Sequence, residues 1–262
     1  MAVNTPRIAL IGYGAMARAL IDCLGAQSSL AVGAVLLRTG NAPTGIVLVR
    51  SVEALLAWSP DLVVECAGQQ AVRLAPTLLA HGIDTVIASV GALGDAALAR
   101  ELASAAAAGS SKLIIPAGAV GGLDALRAAR LGGLDGVRYV GRKPPSAWCG
   151  TPAESGHDLP GMTVQEVVFE GKATDAITLF PKNANVTAAI ALAGVGFDRT
   201  HVTLIADPAI SRNQHEIEAE GSFGHFRIVL ENYPLATNPK TSQLAALSVA
   251  LAVIEHFPTA HL

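Results

Sequence analysis

The chain has 262 residues, of which 51% are hydrophobic and 15% charged, a balance that predicts a large buried core and excludes an extended disordered segment. Its 18 Lys and Arg against 21 Asp and Glu give a formal net charge of −3, and without a basic run there is no footprint for a nucleic-acid backbone. Aromatic residues are only 4% of the total, so the core must be built from Ala, Val, Leu and Ile.

Residues 8–11 read as a first strand and residues 15–24 as a helix opened by glycines. Residues 30–37 form a second strand, a continuous apolar run of the kind that suits a parallel strand covered on both faces. The same signal recurs at 46–49, 62–66, 85–88 and 113–115, with helices expected at 52–58, 71–80 and 96–107 between them. This alternation implies an α/β fold: an N-terminal Rossmann domain, residues 1–120, with a doubly wound parallel sheet and right-handed crossovers. After Pro116 the rhythm changes. A helix at 123–130 and a strand at 137–140 precede a Pro- and Gly-rich loop from 143 to 161. Strands at 166–169, 202–205, 213–220 and 226–230, with helices at 174–179 and 186–193, describe a second, α+β domain, residues 121–240, whose sheet has one open face. The remainder, residues 241–262, holds an apolar helix at 242–256 that is expected to pack back on the first domain.

At the end of the first strand, Gly12, Tyr13, Gly14, Ala15, Met16 and Ala17 match the G-x-G-x-x-A loop of a dinucleotide site. Gly12 permits the tight turn, Gly14 lets backbone approach a pyrophosphate, and Ala17 allows close helix–strand packing. The helix that follows aims its free N–H groups at the phosphates. The cofactor expected is NAD or NADP. The second strand ends in Arg38, with no acid beside it to hold a ribose 2′-hydroxyl, so a guanidinium for a 2′-phosphate is expected there; a solvated arginine is the alternative. Turns after later strands, with Cys66 and Ala67 in one and Ser89 and Val90 in the other, should line the cofactor path at the carboxyl ends of the sheet, unless they are turns and nothing more.

In the second domain the strand at 213–220 alternates, with Gln214, Glu216, Glu218 and Glu220 on one face and His215, Ile217 and Ala219 on the other. His215 therefore points to the covered face. It is the better candidate for acid–base work, since imidazole titrates near neutral pH, although a satisfied core histidine shows the same pattern. Lys182, Asn183 and Asn185 cluster at a helix start, where they can receive an anion or cap the helix. The stiff loop that carries Lys143-Pro144-Pro145 and Trp148 to Pro152, including Thr151, is a weaker candidate for substrate contacts.

These motifs together resemble the L-aspartate dehydrogenase family associated with NAD biosynthesis, and the resemblance runs nearly end to end. It rests on GYGAMA at 12–17, IPAGAVGG at 115–122, FPKNANV at 180–186, Ala206-Asp207-Pro208, NQHEI at 213–217 and NPKT at 238–241. The resemblance implies that His215 is catalytic and that Ala119 and Asn185 contact the nicotinamide part of the cofactor. It also implies oxidative deamination of L-aspartate through iminoaspartate to oxaloacetate and ammonia, and a homo-oligomer, with a dimer favoured. Two readings compete. A dihydrodipicolinate-reductase-like imine reductase would share the architecture, but Gln214-His215 stands where those enzymes pair two histidines. A non-catalytic dinucleotide-binding protein would have no need of an inward His215.

Cys23, Cys66 and Cys149 are odd in number and widely spaced, which fits neither a disulfide framework nor a zinc pattern, so no metal is expected. There is no basic, then apolar leader and no 18-residue uncharged apolar run. The expectation is a cytoplasmic protein with small-molecule partners and no membrane partner.

Overall fold

The computed structural model describes residues 5–27, 29–235 and 238–257, without the side chains of Gln27, Lys182, Pro239 and Lys240. The chain divides into two compact units, Met1–Pro116 with Ala246–Leu262, and Ala117–Ala245.

In the first unit the elements are β1 (Ile8–Ile11), α1 (Ala15–Gln27), β2 (Val32–Leu36), β3 (Val47–Val49), α2 (Val52–Trp58), β4 (Leu62–Glu65), α3 (Ala75–Ala80), β5 (Asp84–Ile87), α4 (Ala96–Gly109) and β6 (Leu113–Ile114). The strands pair in the order β3-β2-β1-β4-β5-β6, all parallel. The continuous apolar runs are explained by the two faces they serve. On one face Ile8, Leu10, Val35, Leu62 and Val64 pack with Leu20 and Leu24 of α1. Ala9, Ile11, Ala34 and Val63 face the other way, against Leu55 of α2 and Leu78 of α3. The last helix of the chain, Gln243–His256, adds Val249, Ala250, Val253 and Ile254 to the first of these clusters. Local chemistry sets the helix starts: Ser51 Oγ accepts from Ala54 N at 3.2 Å, and Asp95 Oδ1 accepts from Ala97 N at 3.0 Å and Leu98 N at 3.2 Å. The single helix expected at 71–80 is two pieces, a tight 3-10 segment Gln69–Leu74 followed by α3. Pro76, which has no N–H to give, sits in the first turn of α3, where none is needed.

The second unit contains α5 (Leu123–Gly132), β7 (Leu134–Lys143), β8 (Glu166–Lys172), α6 (Ala173–Leu179), α7 (Ala184–Ala193), β9 (Thr200–Ala206), β10 (Asn213–Gly221) and β11 (Gly224–Asn232). Its mixed sheet runs β11-β10-β7-β9-β8, with β7 and β9 parallel and the other pairs antiparallel. Two differences from expectation matter. The strand expected at 137–140 spans ten residues, because pairing on both sides with β9 and β10 extends it through Gly136 and Gly141. Lys143, placed by sequence at the head of a loop, is therefore the last residue of this central strand. The short antiparallel pair β12 (Pro234–Leu235) and β13 (Asn238–Ser242), which sequence did not predict, precedes α8 (Gln243–His256). No described helix is long and apolar enough to cross a membrane.

Candidate functional site

In the first unit the glycine loop follows β1. Gly12 has φ +91° and its N–H donates to the Leu36 carbonyl at 3.0 Å. A Cβ on Gly12 would lie 2.7 Å from Ala67 Cβ, whereas one on Gly14 would meet nothing within 4 Å. The first glycine is thus required by the fold, and the second leaves open the space that a pyrophosphate needs. Ala17 is fully buried against the sheet. Ala15 begins α1, Tyr13 and Met16 pack partly buried against the core, and the Tyr13 carbonyl accepts from Arg18 at 3.3 Å.

Beside this loop a cleft of about 310 Å³ is lined by Gly12, Leu36, Leu37, Arg38, Thr39, Ala67, Gln70 and neighbouring apolar side chains. Among the described residues no acidic side chain lines it. Arg50 donates to the carbonyls of Leu37 at 3.0 Å and Gly40 at 2.6 Å, so a second arginine fixes the backbone on either side of Arg38.

The turns after β4 and β5 are tied by Glu65, which sequence placed in the first of them without this bridging role. Its buried carboxylate accepts from Ala67 N at 2.7 Å, Gly68 N at 2.8 Å and Ser89 Oγ at 3.0 Å through one oxygen, and from Ser89 N at 3.0 Å through the other. Burial pushes the Glu65 carboxyl up, and these four donors pull it back toward the charged form. Ser89 spends both its N–H and its hydroxyl on this bridge, next to buried Val90. Burial, with Glu65 adjacent, pushes the Cys66 thiol up, so Cys66, packed against the core, is no nucleophile.

In the second unit, His215 lies on the inner face of β10 and is 1% exposed. Its cross-strand partner is Gly141 of β7. Two residues back on the same face of β7 is Tyr139, whose hydroxyl reaches His215 Nδ1 at 2.9 Å. The path runs over Gly141, where a Cβ would stand 2.6 Å from the Tyr139 hydroxyl; the missing side chain makes room for the contact. Burial, then the charge of Lys143, holds the His215 imidazole down to about 3, so it is neutral at physiological pH. Its Nε2 is buried without a hydrogen-bond partner among the described residues. A neutral imidazole held at one nitrogen with the other unspent can take or give a proton.

Lys143 shares that inner face and is 7% exposed. Its Nζ donates to Asn183 Oδ1 at 2.7 Å and stands 5.9 Å from the centre of the Trp148 ring. Asn183 closes the 3-10 turn Pro181–Asn183 ahead of α7, and Asn185 is exposed in the first turn of that helix. The side chain of Lys182 lies outside the described residues. Thr151 Oγ1 donates to the Trp148 carbonyl at 2.5 Å and accepts from Ala153 N at 3.3 Å, which shapes the turn Pro152–Ser155. Buried Ala119 receives Asn232 Nδ2 on its carbonyl at 2.6 Å. Of the other motif residues, Asp207 pairs with Arg142 at 2.9 Å, and Asn213 Nδ2 donates to Ser242 Oγ, the residue after the NPKT motif, at 3.4 Å. Tyr139 went unremarked in the sequence, and the signal for it was register: only the pairing of 141 with 215 puts its hydroxyl at the imidazole.

Comparison with known proteins shows the family and the fold. Residues 12–116 match the model of the homoserine dehydrogenase NAD binding domain, and residues 124–256 match that of the aspartate dehydrogenase C-terminal domain. The L-aspartate dehydrogenase of Ralstonia nicotianae is 54% identical over 196 residues, 74% of this chain and 73% of its own length. That of Pseudomonas aeruginosa is 46% identical over 259 residues, 95% of this chain and 97% of its own. A crystal structure of aspartate dehydrogenase from Thermotoga maritima has the same fold, with TM-score 0.76 and 24% identity over 98% of this chain and 97% of that one. A family model over half of the residues, and relatives this similar over nearly all of them, place the protein: the chain belongs to the aspartate dehydrogenase family.

Proposed function

We propose that the chain oxidises L-aspartate to oxaloacetate and ammonia through iminoaspartate, with NAD or NADP as electron acceptor. The observation that carries this reading is the state of His215, a buried neutral imidazole tethered at Nδ1 by Tyr139 with Nε2 unspent. The residues of the first unit fit a dinucleotide. Tyr13 to Met16 and the open space at Gly14 would receive the pyrophosphate, the Arg38 cleft the adenosine, and Cys66, Ala67, Ser89 and Val90 the path beyond. Ala119 and Asn185 would contact the nicotinamide end. A bound dinucleotide supplies the acceptor for the hydride that leaves the substrate Cα.

The protein's own groups move protons. A substrate ammonium has no lone pair, so it must be deprotonated before its nitrogen can form an imine. With Nδ1–H donating to Tyr139, the Nε2 lone pair of His215 takes that proton directly or through a water, once the negative charge of a bound substrate offsets the burial and the Lys143 charge that hold the free imidazole down. The Tyr139 hydroxyl can also donate to Nδ1, so it holds the ring in either tautomer. Once it has released that proton to solvent, the same imidazole accepts one from the water that adds to the imine carbon and passes it to the carbinolamine nitrogen, so that collapse expels ammonia and leaves the ketone.

A panel of L- and D-amino acids, each with NAD⁺ and NADP⁺ and read by nicotinamide absorbance, tests the reading. L-Aspartate is expected to give the only strong signal. Silence with L-aspartate alongside reduction of a cyclic imine would point to the imine-reductase alternative. Arg38→Ala is expected to raise the Kd for NADP by about tenfold to a hundredfold, the worth of a charge-assisted contact, and to leave that for NAD little changed. Fluorescence titration with each dinucleotide checks this, and equal affinities before and after would remove Arg38 from the 2′-phosphate. The free cysteines fit a reducing cytoplasm, and a homodimer, readable by light scattering, completes the reading.

A further inference from the structure

Among the described residues, the buried side-chain nitrogens and oxygens with no hydrogen-bond partner are Trp148 Nε1, Asn183 Nδ2 and His215 Nε2. Buried polar groups are nearly always satisfied in native folds, so each orphan asks for an explanation. These three are not scattered. Each belongs to a side chain engaged by Lys143: Asn183 takes its Nζ at 2.7 Å, the Trp148 ring lies 5.9 Å from it, and His215 feels its charge. The three side chains therefore share one buried cation, at the end of the central strand, as a neighbour.

We propose that Lys143, with Trp148 Nε1 and Asn183 Nδ2, forms the seat of a substrate carboxylate beside His215. The proposal rests on the L-aspartate reading above, and it names a residue for the dicarboxylate selectivity that such a reaction needs.

The donor chemistry supports an anion. An ammonium, an indole N–H and an amide NH₂ offer donors only, and a carboxylate offers acceptors only. Asn183 fits this orientation, because its oxygen is already given to Lys143 and its nitrogen is what remains. Trp148 is held rigidly: it is fully buried, set edge-on to Phe180 at 5.8 Å between ring centres, and carried on the short turn Pro145–Trp148. A site of fixed donors, two of them with no partner among the described residues, is pre-organised for a ligand that brings the missing acceptors. The electrostatics run the same way. Lys143 disfavours a proton on His215, and a carboxylate at Lys143 offsets that charge, so an acidic substrate improves the base that is to act on it.

The test uses the full chain with Lys143→Met, which keeps the stem and removes the charge, and Asn183→Asp, which keeps an oxygen for Lys143 but meets a carboxylate with a like charge. The KM and kcat for L-aspartate, the Kd for the dinucleotide by fluorescence titration and the binding of succinate by calorimetry are measured for each. Both variants are expected to raise the KM for L-aspartate and weaken succinate by about tenfold to a hundredfold, the range of a charged hydrogen bond, with dinucleotide affinity unchanged. Succinate affinity and KM within twofold of the parent in a folded variant would overturn the proposal. If Lys143→Met fails to fold, Asn183→Asp decides alone. Lys143-dependent succinate binding without oxidation of L-aspartate would leave the carboxylate seat standing and overturn the reaction; oxidation with an unmoved KM would do the reverse.

Discussion

His215→Ala is expected to lower kcat for L-aspartate oxidation by about 10² to 10⁴, the usual worth of positioned acid–base assistance, with the Kd for the dinucleotide unmoved. The size follows from what the imidazole alone supplies. Nε2 is buried with no partner among the described residues, and Nδ1 is held at 2.9 Å by a tyrosine that cannot swing away, since it is 2% exposed and lies over Gly141. Alanine removes the proton carrier and leaves Tyr139 and Lys143 in place. A fall of less than about tenfold would remove His215 from the role.

The same variant has a second signature, in stability, with an opposite sense. An unfolded imidazole titrates near its ordinary value of about 6.5, whereas in the fold burial and Lys143 hold it down to about 3. As pH falls below the unfolded value, the unfolded chain takes up a proton that the folded chain refuses, so the parent loses stability over that window. His215→Ala has nothing to protonate there. Between pH 7 and pH 5 its stability relative to the parent should improve by up to about 2 kcal/mol, read by urea denaturation at the two values. A catalytic loss together with this acid-side gain identifies a buried neutral base; a structural histidine gives only the second.

Legibility in the sequence divides along a physical line. The parallel sheet was readable because its strands are buried on both faces and show uninterrupted apolar runs, as Ile8 to Ile11 do. The side of β10 on which His215 lies was readable because one face is charged and the other is not. What escaped depends on contacts between residues distant in sequence. Strand β7 was cut short because Gly136 and Gly141 look like breaks, and the strand exists through its two partners. That error placed Lys143 in a loop, while Tyr139, inside the strand read at 137–140, could not be matched to His215 without the register. The role of Glu65 escaped for a related reason: its place in the turn after the strand was readable, but its four donors, drawn from two separate turns, meet only in the fold. The split of 71–80 into two helical pieces turned on Pro76, which ends one pattern and starts the next equally well.

Gly12→Val should lose both stability and dinucleotide binding, whereas Gly14→Ala should lose binding alone. At Gly12 the backbone is at φ +91°, a region that a β-branched residue adopts only at a cost of about 1–3 kcal/mol. The added Cβ also meets Ala67 Cβ at 2.7 Å and Cα at 2.9 Å. Ala67 cannot retreat, because its N–H is fixed to Glu65 at 2.7 Å and the N–H of Cys66 before it donates to the Ile11 carbonyl at 2.9 Å. The turn that should face the phosphates must therefore deform, and the affinity for NAD or NADP should fall by about a hundredfold or more, equivalent to about 2.7 kcal/mol. Gly14→Ala is the control that assigns the loop. Its Cβ meets nothing within 4 Å, so the protein alone pays no steric cost and its melting temperature should hold. If the pyrophosphate occupies that open space, the methyl group meets the ligand and affinity still drops. Calorimetric melting and fluorescence titration on the two variants separate the cases, and a Gly14→Ala protein that binds both dinucleotides as the parent does would move the phosphates away from this turn.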